Sequence, residues 1–376
     1  MRLCRWGRYD GIFNFTKIIF FNPEKIGILQ QMTNKPILVL KFGTASITSQ
    51  SGDLNEEILQ TICKQVAHLH ANYNLVLVSS GAVAAGKKLL KNFSGELTER
   101  KAAAAIGNPL LLNKYTQYFA PHGISIAQSL CERHHFSNRN QFLQLQRTYQ
   151  ELWNNNIIPI ANENDVVSNL ELKFSDNDEL ATLIAVGFGA HLLLLCTSVP
   201  GVLNANGEVI SEFKTIDASV LQLATKEKST AGLGGMTSKL TFARLATQMG
   251  IKTVIFGIKT GNAILQAVEG KVGTVCQPQA CNISARNKWL ASGSLISGKL
   301  QIDAGAAKAV INRHSLLAVG VVKVLQHFEA GEVFEILDAQ NQPIAVAKSR
   351  INSKEIEKNN KLQNLEIAHT DDIVLI

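Results

Sequence analysis

Two lysines stand beside glycines, at positions where a side-chain cation could meet a phosphate group. One is in Lys41-Phe42-Gly43-Thr44, directly after the apolar run Ile37–Leu40. The other, Lys239, ends Gly232-Leu233-Gly234-Gly235-Met236-Thr237-Ser238-Lys239, whose glycines would free backbone N–H groups at a helix start. A strand-edge lysine alone is common without any function, whereas glycines, hydroxyls and a lysine together are less often a plain connector. The second segment therefore predicts an anion site more strongly than the first.

Two clusters of acids and amides lie between these lysines. Asn162-Glu163-Asn164-Asp165 follows the apolar run Ile157–Ile160, and Asp176-Asn177-Asp178 precedes the apolar stretch Leu180–Val186. Asp176 fits a capping box with Glu179 at the start of a helix. Capping accounts less well for Asp165 and Asp178, so the two clusters could instead hold an ammonium group or a metal–phosphate assembly.

The segment from Gly81 to Lys88 nearly matches a nucleotide-binding P-loop, since it follows a strand and can open a helix. It departs at Lys88, where a P-loop needs Ser or Thr to hold Mg²⁺. What remains is a Ser80-Gly81 turn at a helix N-terminus, which suits a carboxylate.

The elements that must position these residues alternate between short β-rich runs and longer helical stretches from Lys35 onward. This pattern predicts an α/β domain with a largely parallel sheet, helices on both faces and its site at the strand C-termini. After Gln279 the runs become short and alternating, as in Val333–Leu337, which predicts a small β domain. We expect the larger α/β domain over residues 35–279, a linker over 280–296 and the small domain over 297–376.

Composition narrows the class of protein. No apolar run reaches the 18 or more residues of a membrane helix, and the six cysteines form no CxxC pair, which favours reduced thiols and a cytoplasmic location. The net charge of +7 is spread along the chain, and residues 296–376 carry nine basic against ten acidic residues. The charge therefore suits an enzyme with anionic substrates better than a binder of nucleic acid.

The first 34 residues combine three early arginines with a short apolar-aromatic patch and lead to a second methionine, Met32. A signal peptide would have a longer apolar stretch and a small-residue cleavage site. We expect a disordered extension or a mis-assigned start, with organellar targeting as the alternative.

Taken in order, the motifs resemble the glutamate 5-kinases of the amino acid kinase family over nearly the whole chain from Lys35. The matching segments are Lys41-Phe42-Gly43-Thr44, Ser80-Gly81-Ala82, Asn162-Glu163-Asn164-Asp165, Asp176-Asn177-Asp178 and Gly234-Gly235-Met236-Thr237-Ser238-Lys239. The tail resembles a PUA domain through Asp303-Ala304-Gly305-Ala306, Gly331-Glu332-Val333 and Ala347-Lys348-Ser349-Arg350.

The resemblance implies a three-layer αβα sandwich with a mainly parallel sheet, followed by a small β-rich PUA-like domain. It also implies phosphorylation of the γ-carboxylate of L-glutamate to L-glutamyl 5-phosphate with ATP and Mg²⁺, the first step of proline biosynthesis. A homo-oligomer, either dimer or tetramer, and a transient contact with the reductase of the next step are expected with it.

The resemblance also assigns roles to residues. Lys41 and Lys239 would stabilise charge on the transferred phosphoryl group, and Asp178 would organise the two lysines. The residues that would hold glutamate are Ser80, Asp165 and Asn177. The residues that would bind ATP are Lys41, Thr197, Ser198, Gly234, Gly235, Met236, Thr237, Ser238 and Lys239, and no protein residue is assigned as a metal ligand.

Two departures from the family pattern concern the nucleotide side. Thr197-Ser198 stands where the family usually has Thr-Asp, which removes one carboxylate, and Leu233 stands in a shortened glycine loop where a threonine is common. Nucleotide preference is left open by these changes, although Lys239 is retained.

Other functions compete with this interpretation. The same fold could phosphorylate acetylglutamate, aspartate, carbamate or a nucleoside monophosphate, although the PUA-like tail argues against those acceptors. An RNA-binding module is a further alternative, but a tail with a net charge of −1 has little electrostatic attraction for RNA.

Overall fold

The computed structural model describes residues 35–49, 51–132, 134–137, 139–166, 177–217, 219–221, 235–258, 261–280, 296–359, 362 and 364–375. The predicted N-terminal extension, the glycine loop up to Gly234, the capping residue Asp176 and most of the predicted linker lie outside the described residues. None of the described helices is long and apolar enough to cross a bilayer.

The larger, N-terminal part of the described chain contains an eight-stranded sheet in the order β3-β4-β2-β1-β5-β7-β8-β6. Every neighbouring pair of strands is parallel except β7 and β8. The strands are β1 Ile37–Phe42, β2 Asn74–Ser79, β3 Ser125–Cys131, β4 Ile157–Glu163, β5 Leu192–Thr197, β6 Glu212–Phe213, β7 Lys252–Gly257 and β8 Thr274–Cys276. The α-helices are α1 Thr44–Ile47, α2 Glu56–Leu69, α3 Ala82–Gly86, α4 Leu97–Phe119, α5 His134–Ser137, α6 Arg139–Asn154, α7 Asn177–Phe188, α8 Met236–Gln248 and α9 Ala263–Val268.

The sheet has a separate hydrophobic cluster on each face, which confirms the predicted three-layer αβα sandwich. Leu38 and Leu40 of β1 belong to the cluster that contains residues of α2, α4 and α9. Val39 belongs to the cluster that contains residues of α6, α7 and α8. Because side chains alternate along a strand, Lys41 lies on the same face of β1 as Val39. The strand therefore directs Lys41 towards the layer that contains α7 and α8.

The C-terminal part has its own core, formed by residues such as Leu300, Phe334 and Ala347. A five-stranded sheet in the order β11-β9-β12-β13-β15 lies beside the two-stranded sheet β10-β14. The strands are β9 Ile296–Ile302, β10 Leu316–Leu317, β11 Val321–Gln326, β12 Val333–Leu337, β13 Pro343–Lys348, β14 Glu366–Ala368 and β15 Ile373–Leu375, and the helices are α10 Ala304–Ile311 and α11 Ser353–Asn359. The predicted small β-rich domain is present, with two short helices in addition.

Two elements that carry site residues differ from the sequence-based expectation. Strand β4 continues to Glu163, because Asn162 and Glu163 pair with Leu130 and Cys131 of β3. Helix α7 begins at Asn177, three residues before the predicted apolar stretch, so the second acid-amide cluster supplies its first turn. Both changes move polar residues from predicted loops into regular elements.

Candidate active site

The parallel register brings several predicted site residues to one edge of the sheet. Phe42 of β1 lies opposite Ser79 of β2 and Cys196 of β5. The residues that follow these three, including Ser80 and Thr197, therefore lie just past the carboxyl ends of neighbouring strands. Ser80 is held there by its backbone N–H, which donates to the carbonyl of Phe42 at 3.0 Å. The C-terminal edge of the sheet is the usual ligand site of such folds.

Lys41, Asp178 and Lys239 form a buried ionic cluster at this edge. The Asp178 carboxylate lies 2.6 Å from the Lys41 ammonium through Oδ1 and 2.8 Å from the Lys239 ammonium through Oδ2. The Asp178 side chain is 0% exposed, and those of Lys41 and Lys239 are 4% and 6% exposed. One carboxylate between two ammonium groups leaves a net charge of +1 away from bulk water, where an anionic ligand is strongly favoured.

Burial raises the pKa of Asp178, but the ammonium groups of Lys41 and Lys239 outweigh burial and hold that pKa below its ordinary value of 3.8. The carboxylate is therefore ionised throughout the neutral range and keeps both lysines in place. The first turn of α7 contains Asp178 and Glu179, and acids at this position are also stabilised by the positive end of the helix dipole.

The N-terminus of α8 has features that suit an anion. Among the described residues, no side chain caps the helix and its first turn contains no acid. Gly235 at the N-cap has extended backbone angles, with φ −78° and ψ −179°. The predicted nucleotide residues Met236, Thr237 and Ser238 form the first turn, which ends at Lys239. Backbone N–H groups at a helix start, beside a buried lysine, are the kind of groups that hold a phosphate.

A relay of amides and a hydroxyl lies next to the ionic cluster. Asn177, the residue before Asp178, donates through Nδ2 to the hydroxyl oxygen of Ser80 at 2.8 Å and to the Oδ1 of Asn162 at 2.9 Å. Asn162 in turn donates through Nδ2 to the Oδ1 of Asn108 at 3.0 Å. The structure therefore brings two of the predicted substrate residues, Ser80 and Asn177, into direct contact.

The direction of every hydrogen bond in this relay is set by one backbone group. The N–H of Glu163 donates to the side chain of Asn162 at 3.0 Å, and a backbone N–H can only donate, so the atom it meets must be the amide oxygen. That oxygen can accept only from the NH₂ of Asn177. The Oδ1 of Asn177 then lies on the other side of its amide, where it is buried and has no partner among the described residues.

The relay consequently presents two complementary groups. The Oδ1 of Asn177 needs a donor, because a buried acceptor without a partner costs free energy. The hydroxyl oxygen of Ser80 accepts from Asn177, so its own proton can be donated elsewhere. An acceptor beside a donor suits the ammonium and carboxylate groups of an amino acid.

The P-loop-like segment has a packing role. A Cβ on Gly86 would lie 2.0 Å from the carbonyl oxygen of Ala103, and one on Gly107 would lie 1.7 Å from that of Ala82. These two glycines let α3 and α4 approach to backbone contact. Lys88 is exposed, and its ammonium group pairs with the Asp53 carboxylate at 2.7 Å. These contacts give Gly86 and Lys88 of the segment a structural role.

Three of the remaining predicted residues lie at the ends of strands β4 and β5. Asp165 is half-buried in the turn after β4. Thr197 ends β5 and is half-buried, and Ser198 follows it as an exposed residue. Gly234 lies outside the described residues. Within the described part of the chain, no group of three or more His, Cys, Asp or Glu side chains could hold a metal ion.

The cysteines in the described part are free and buried at positions 63, 131, 196 and 276. Burial raises the pKa of Cys196, next to the ionic cluster, to about 11, so its thiol is protonated at neutral pH.

Sequence reasoning missed two members of the relay, Asn108 and the amide of Asn162. Asn162 was in a recognised motif, but its role depends on β4 extending past the predicted strand end. Asn108 lies in the middle of α4, outside any motif. The only sequence signal is its position in the apolar stripe formed by Ala104, Leu111 and Tyr115, where a polar side chain is unexpected.

Comparisons with known proteins identify the family of this chain. The profile of the amino acid kinase family matches residues 36–257, and that of the PUA domain matches residues 298–370. Glutamate 5-kinase from Thermoanaerobacter sp. (strain X514) is 33% identical over 90% of this chain and 97% of its own length. Glutamate 5-kinase from Vibrio vulnificus (strain YJ016) is 34% identical over 94% of both chains.

Among solved structures, carbamate kinase from Giardia lamblia bound to AMP-PNP aligns with a TM-score of 0.48 at 18% identity, over 66% of this chain and 100% of that one. That likeness is too distant to place individual residues. The two profiles and the curated relatives together show that the chain belongs to the amino acid kinase family, among its glutamate 5-kinases, and carries a C-terminal PUA domain.

Proposed function

We propose that this protein transfers the γ-phosphoryl group of ATP to the γ-carboxylate of L-glutamate, giving ADP and L-glutamyl 5-phosphate, the first step of proline biosynthesis. The observation that carries the proposal is the pairing of adjacent residues at the start of α7. Asn177 belongs to the relay that suits an amino acid, and Asp178 belongs to the cluster that suits a phosphate. The relatives named glutamate 5-kinase support this choice of acceptor.

At the phosphate end, Lys41 and Lys239 offset the charge on the transferred phosphoryl group, and Asp178 holds both ammonium groups in place. The N–H groups at the start of α8, with Gly234, Gly235 and residues 236–238, hold the phosphates of ATP. In phosphoryl transfer the protein mainly positions the reactants and neutralises the equatorial oxygens, which is what two fixed lysines and a helix N-terminus provide.

At the amino acid end, the Oδ1 of Asn177 accepts from the α-ammonium group of glutamate and Ser80 donates to a carboxylate. Asp165 adds a negative charge that attracts the ammonium group. No general base is needed, because the γ-carboxylate has a pKa near 4.3 in water and is already ionised at neutral pH. One of its oxygens bonds to the γ-phosphorus, while the bond from that phosphorus to the bridging oxygen of ADP breaks.

ATP brings Mg²⁺ with it as part of the substrate. This fits a described site that offers lysines and backbone N–H groups rather than a cluster of carboxylates. Thr197 and Ser198, at the end of β5, contact the nucleotide in this proposal, and the missing carboxylate at Ser198 affects its adenine side.

The wider setting completes the proposal. We place the enzyme in the cytoplasm as a homo-oligomer, either dimer or tetramer. An acyl phosphate hydrolyses readily in water, so a transient contact with the reductase that consumes it would limit losses. The kinase domain spans residues 35–279 and the PUA domain spans 297–376, joined by a linker over 280–296.

The proposal is tested by ADP release with Mg·ATP and each of L-glutamate, L-aspartate, N-acetyl-L-glutamate, carbamate and UMP, with hydroxylamine to trap any acyl phosphate. We expect release and hydroxamate formation with L-glutamate. The matched control is Asp178→Asn, which should give neither product. Activity with a different acceptor alone would keep the fold and overturn the proposed substrate.

A further inference from the structure

We propose that Asn108 of α4 is a positioning residue for the amino acid substrate, acting through Asn162 on the amide of Asn177. This inference rests on the proposed function, since it concerns the site at which glutamate binds. Asn108 accepts a hydrogen bond from the Nδ2 of Asn162 at 3.0 Å. Within the relay, Asn108 is the residue farthest from the Oδ1 of Asn177, the atom proposed to bind the substrate.

Asn108 occupies a position where core packing would favour an apolar residue. It is 7% exposed and lies in the buried stripe of α4 with Ala104, Leu111 and Tyr115. A buried amide stabilises a fold only when its polar atoms are hydrogen-bonded. The contact that this structure shows for its oxygen is the NH₂ of Asn162, which connects α4 to the substrate side of the sheet.

The position of Asn108 is fixed by its neighbour. Gly107 is packed so closely on α3 that a Cβ there would lie 1.7 Å from the carbonyl oxygen of Ala82. Helix α3 begins directly after the Ser80-Gly81 turn. Helix α4 therefore supports both sides of the amino acid site, Ser80 through α3 and Asn177 through the relay.

Two turns further along α4, Tyr115 adds a second support. Its hydroxyl group lies 2.8 Å from that of Ser79, the residue before Ser80, and Tyr115 is fully buried. Asn108 and Tyr115, both on the buried face of α4, thus contact strands β4 and β2. Residues proposed to bind the substrate lie just after these two strands.

Loss of the Asn108 acceptor should weaken substrate binding without affecting the phosphate end. The NH₂ of Asn162 would be buried without its partner, and a shift of that side chain towards another acceptor would displace the oxygen that the NH₂ of Asn177 meets. Asn177 would then be held through Ser80 alone, and its Oδ1 would be directed less firmly towards the substrate. The ionic cluster of Lys41, Asp178 and Lys239 does not contact Asn108.

The experiment compares three variants of the full-length enzyme. Asn108→Leu has a similar size but no acceptor, whereas Asn108→Asp keeps an acceptor oxygen facing Asn162. Asn113→Leu is the matched control, because Asn113 is an exposed residue of the same helix. For each variant, kcat and the KM values for L-glutamate and for ATP are measured, with the melting temperature as a check on folding.

We expect Asn108→Leu to raise the KM for L-glutamate by roughly tenfold, the effect of one lost buried hydrogen bond, with little change in the KM for ATP. Asn108→Asp should stay within about threefold of the wild type, and Asn113→Leu should match it. If Asn108→Leu fails to fold, Asn108→Ala takes its place. Equal increases in both KM values, or an unchanged KM for L-glutamate, would overturn the inference.

A double-variant test separates positioning from a general packing effect. Asn177→Ala removes the group on which Asn108 is proposed to act, so Asn108→Leu should weaken calorimetric L-glutamate binding no further in that background. Additive losses would contradict the inference. If the wild-type enzyme neither binds nor phosphorylates L-glutamate, the proposed function fails first; wild-type activity with a normal Asn108→Leu variant refutes the positioning role alone.

Discussion

Asp178 is the residue on which the phosphate end of the site depends. Its carboxylate separates two ammonium groups that would otherwise repel each other in a buried setting, at 2.6 and 2.8 Å. We predict that Asp178→Asn destabilises the substrate-free enzyme by about 3–5 kcal/mol, because it leaves both charges uncompensated. Denaturant unfolding measures this loss, and Asp53→Asn, which breaks the exposed pair with Lys88, is the control that should change little.

The same residue predicts a pH dependence. The folded-state pKa of Asp178 lies below 3.8, so its stabilising effect is present above the unfolded-state pKa and is lost as the pH falls through the folded-state value. The difference in unfolding free energy between the wild type and Asp178→Asn should stay constant between about pH 8 and pH 5. A difference that declines across that range would show that another group is responsible.

Lys239 should matter for turnover. We predict that Lys239→Met, which keeps the length of the side chain, lowers kcat by roughly 10²–10³-fold, the usual effect of removing one group that stabilises transition-state charge. Lys308→Met, an exposed lysine of α10, is the control. Steady-state kinetics with saturating ATP and glutamate would test this prediction, and a kcat within a few-fold of the wild type would rule out the assigned role.

The family resemblance predicted that Asp178 would organise Lys41 and Lys239, but the three residues by themselves do not show that they meet. Lys239 and Asp178 are 61 positions apart and each stood in a recognised motif. They meet because α7 and α8 pack on the face of the sheet to which Lys41 points. That packing depends on the complete fold. Asn108 could not be predicted, because a single amide within a helix has no motif until its partner is known.

Helices α3 and α4 act as one unit at the scale of elements. Their backbones touch at Gly86, which lies in the P-loop-like segment, and at Gly107. Strands β1 and β4 were predictable from their apolar runs, whereas the ends of β4 and α7 were not. Pairing with β3 extends β4, and the first turn of α7 is made of polar residues that resemble a loop.

This close packing gives a further prediction. Gly107→Ala would place a Cβ 1.7 Å from the Ala82 carbonyl oxygen, so α3 and α4 must move apart. We expect a loss of about 1–3 kcal/mol in unfolding free energy, together with weaker glutamate binding, because α3 begins next to Ser80. Gly261→Ala is the control, since its Cβ would meet no atom within 4 Å. Wild-type stability of Gly107→Ala would show that the helices are not held in this contact.

At the scale of the whole molecule, the distribution of charged residues argues against RNA binding. The net charge is +7, yet residues 296–376 carry nine basic and ten acidic residues. The PUA domain therefore lacks the excess positive charge that drives binding to a phosphate backbone. The motifs of the tail predicted this domain from sequence. The structure shows that it has a hydrophobic cluster of its own.

We predict that the full-length protein shows no retention of a 20-nucleotide single-stranded RNA on a filter at about 150 mM salt, and only weak, salt-sensitive retention at about 20 mM. The control is the same assay with excess ATP, which should leave any low-salt signal unchanged if the RNA does not occupy the kinase site. Tight binding that persists at the higher salt concentration would assign the PUA domain a nucleic-acid partner.

The most direct test of the account follows the oxygen atom that attacks phosphorus. L-Glutamate labelled with ¹⁸O in its γ-carboxylate is incubated with enzyme and Mg·ATP, hydroxylamine cleaves the product at carbon, and the released phosphate is analysed by mass spectrometry. We predict one ¹⁸O atom in each released phosphate, because the carboxylate oxygen has formed the new bond to phosphorus. Glutamate-dependent phosphate without ¹⁸O would contradict transfer to the γ-carboxylate, and with it the central role given to this site.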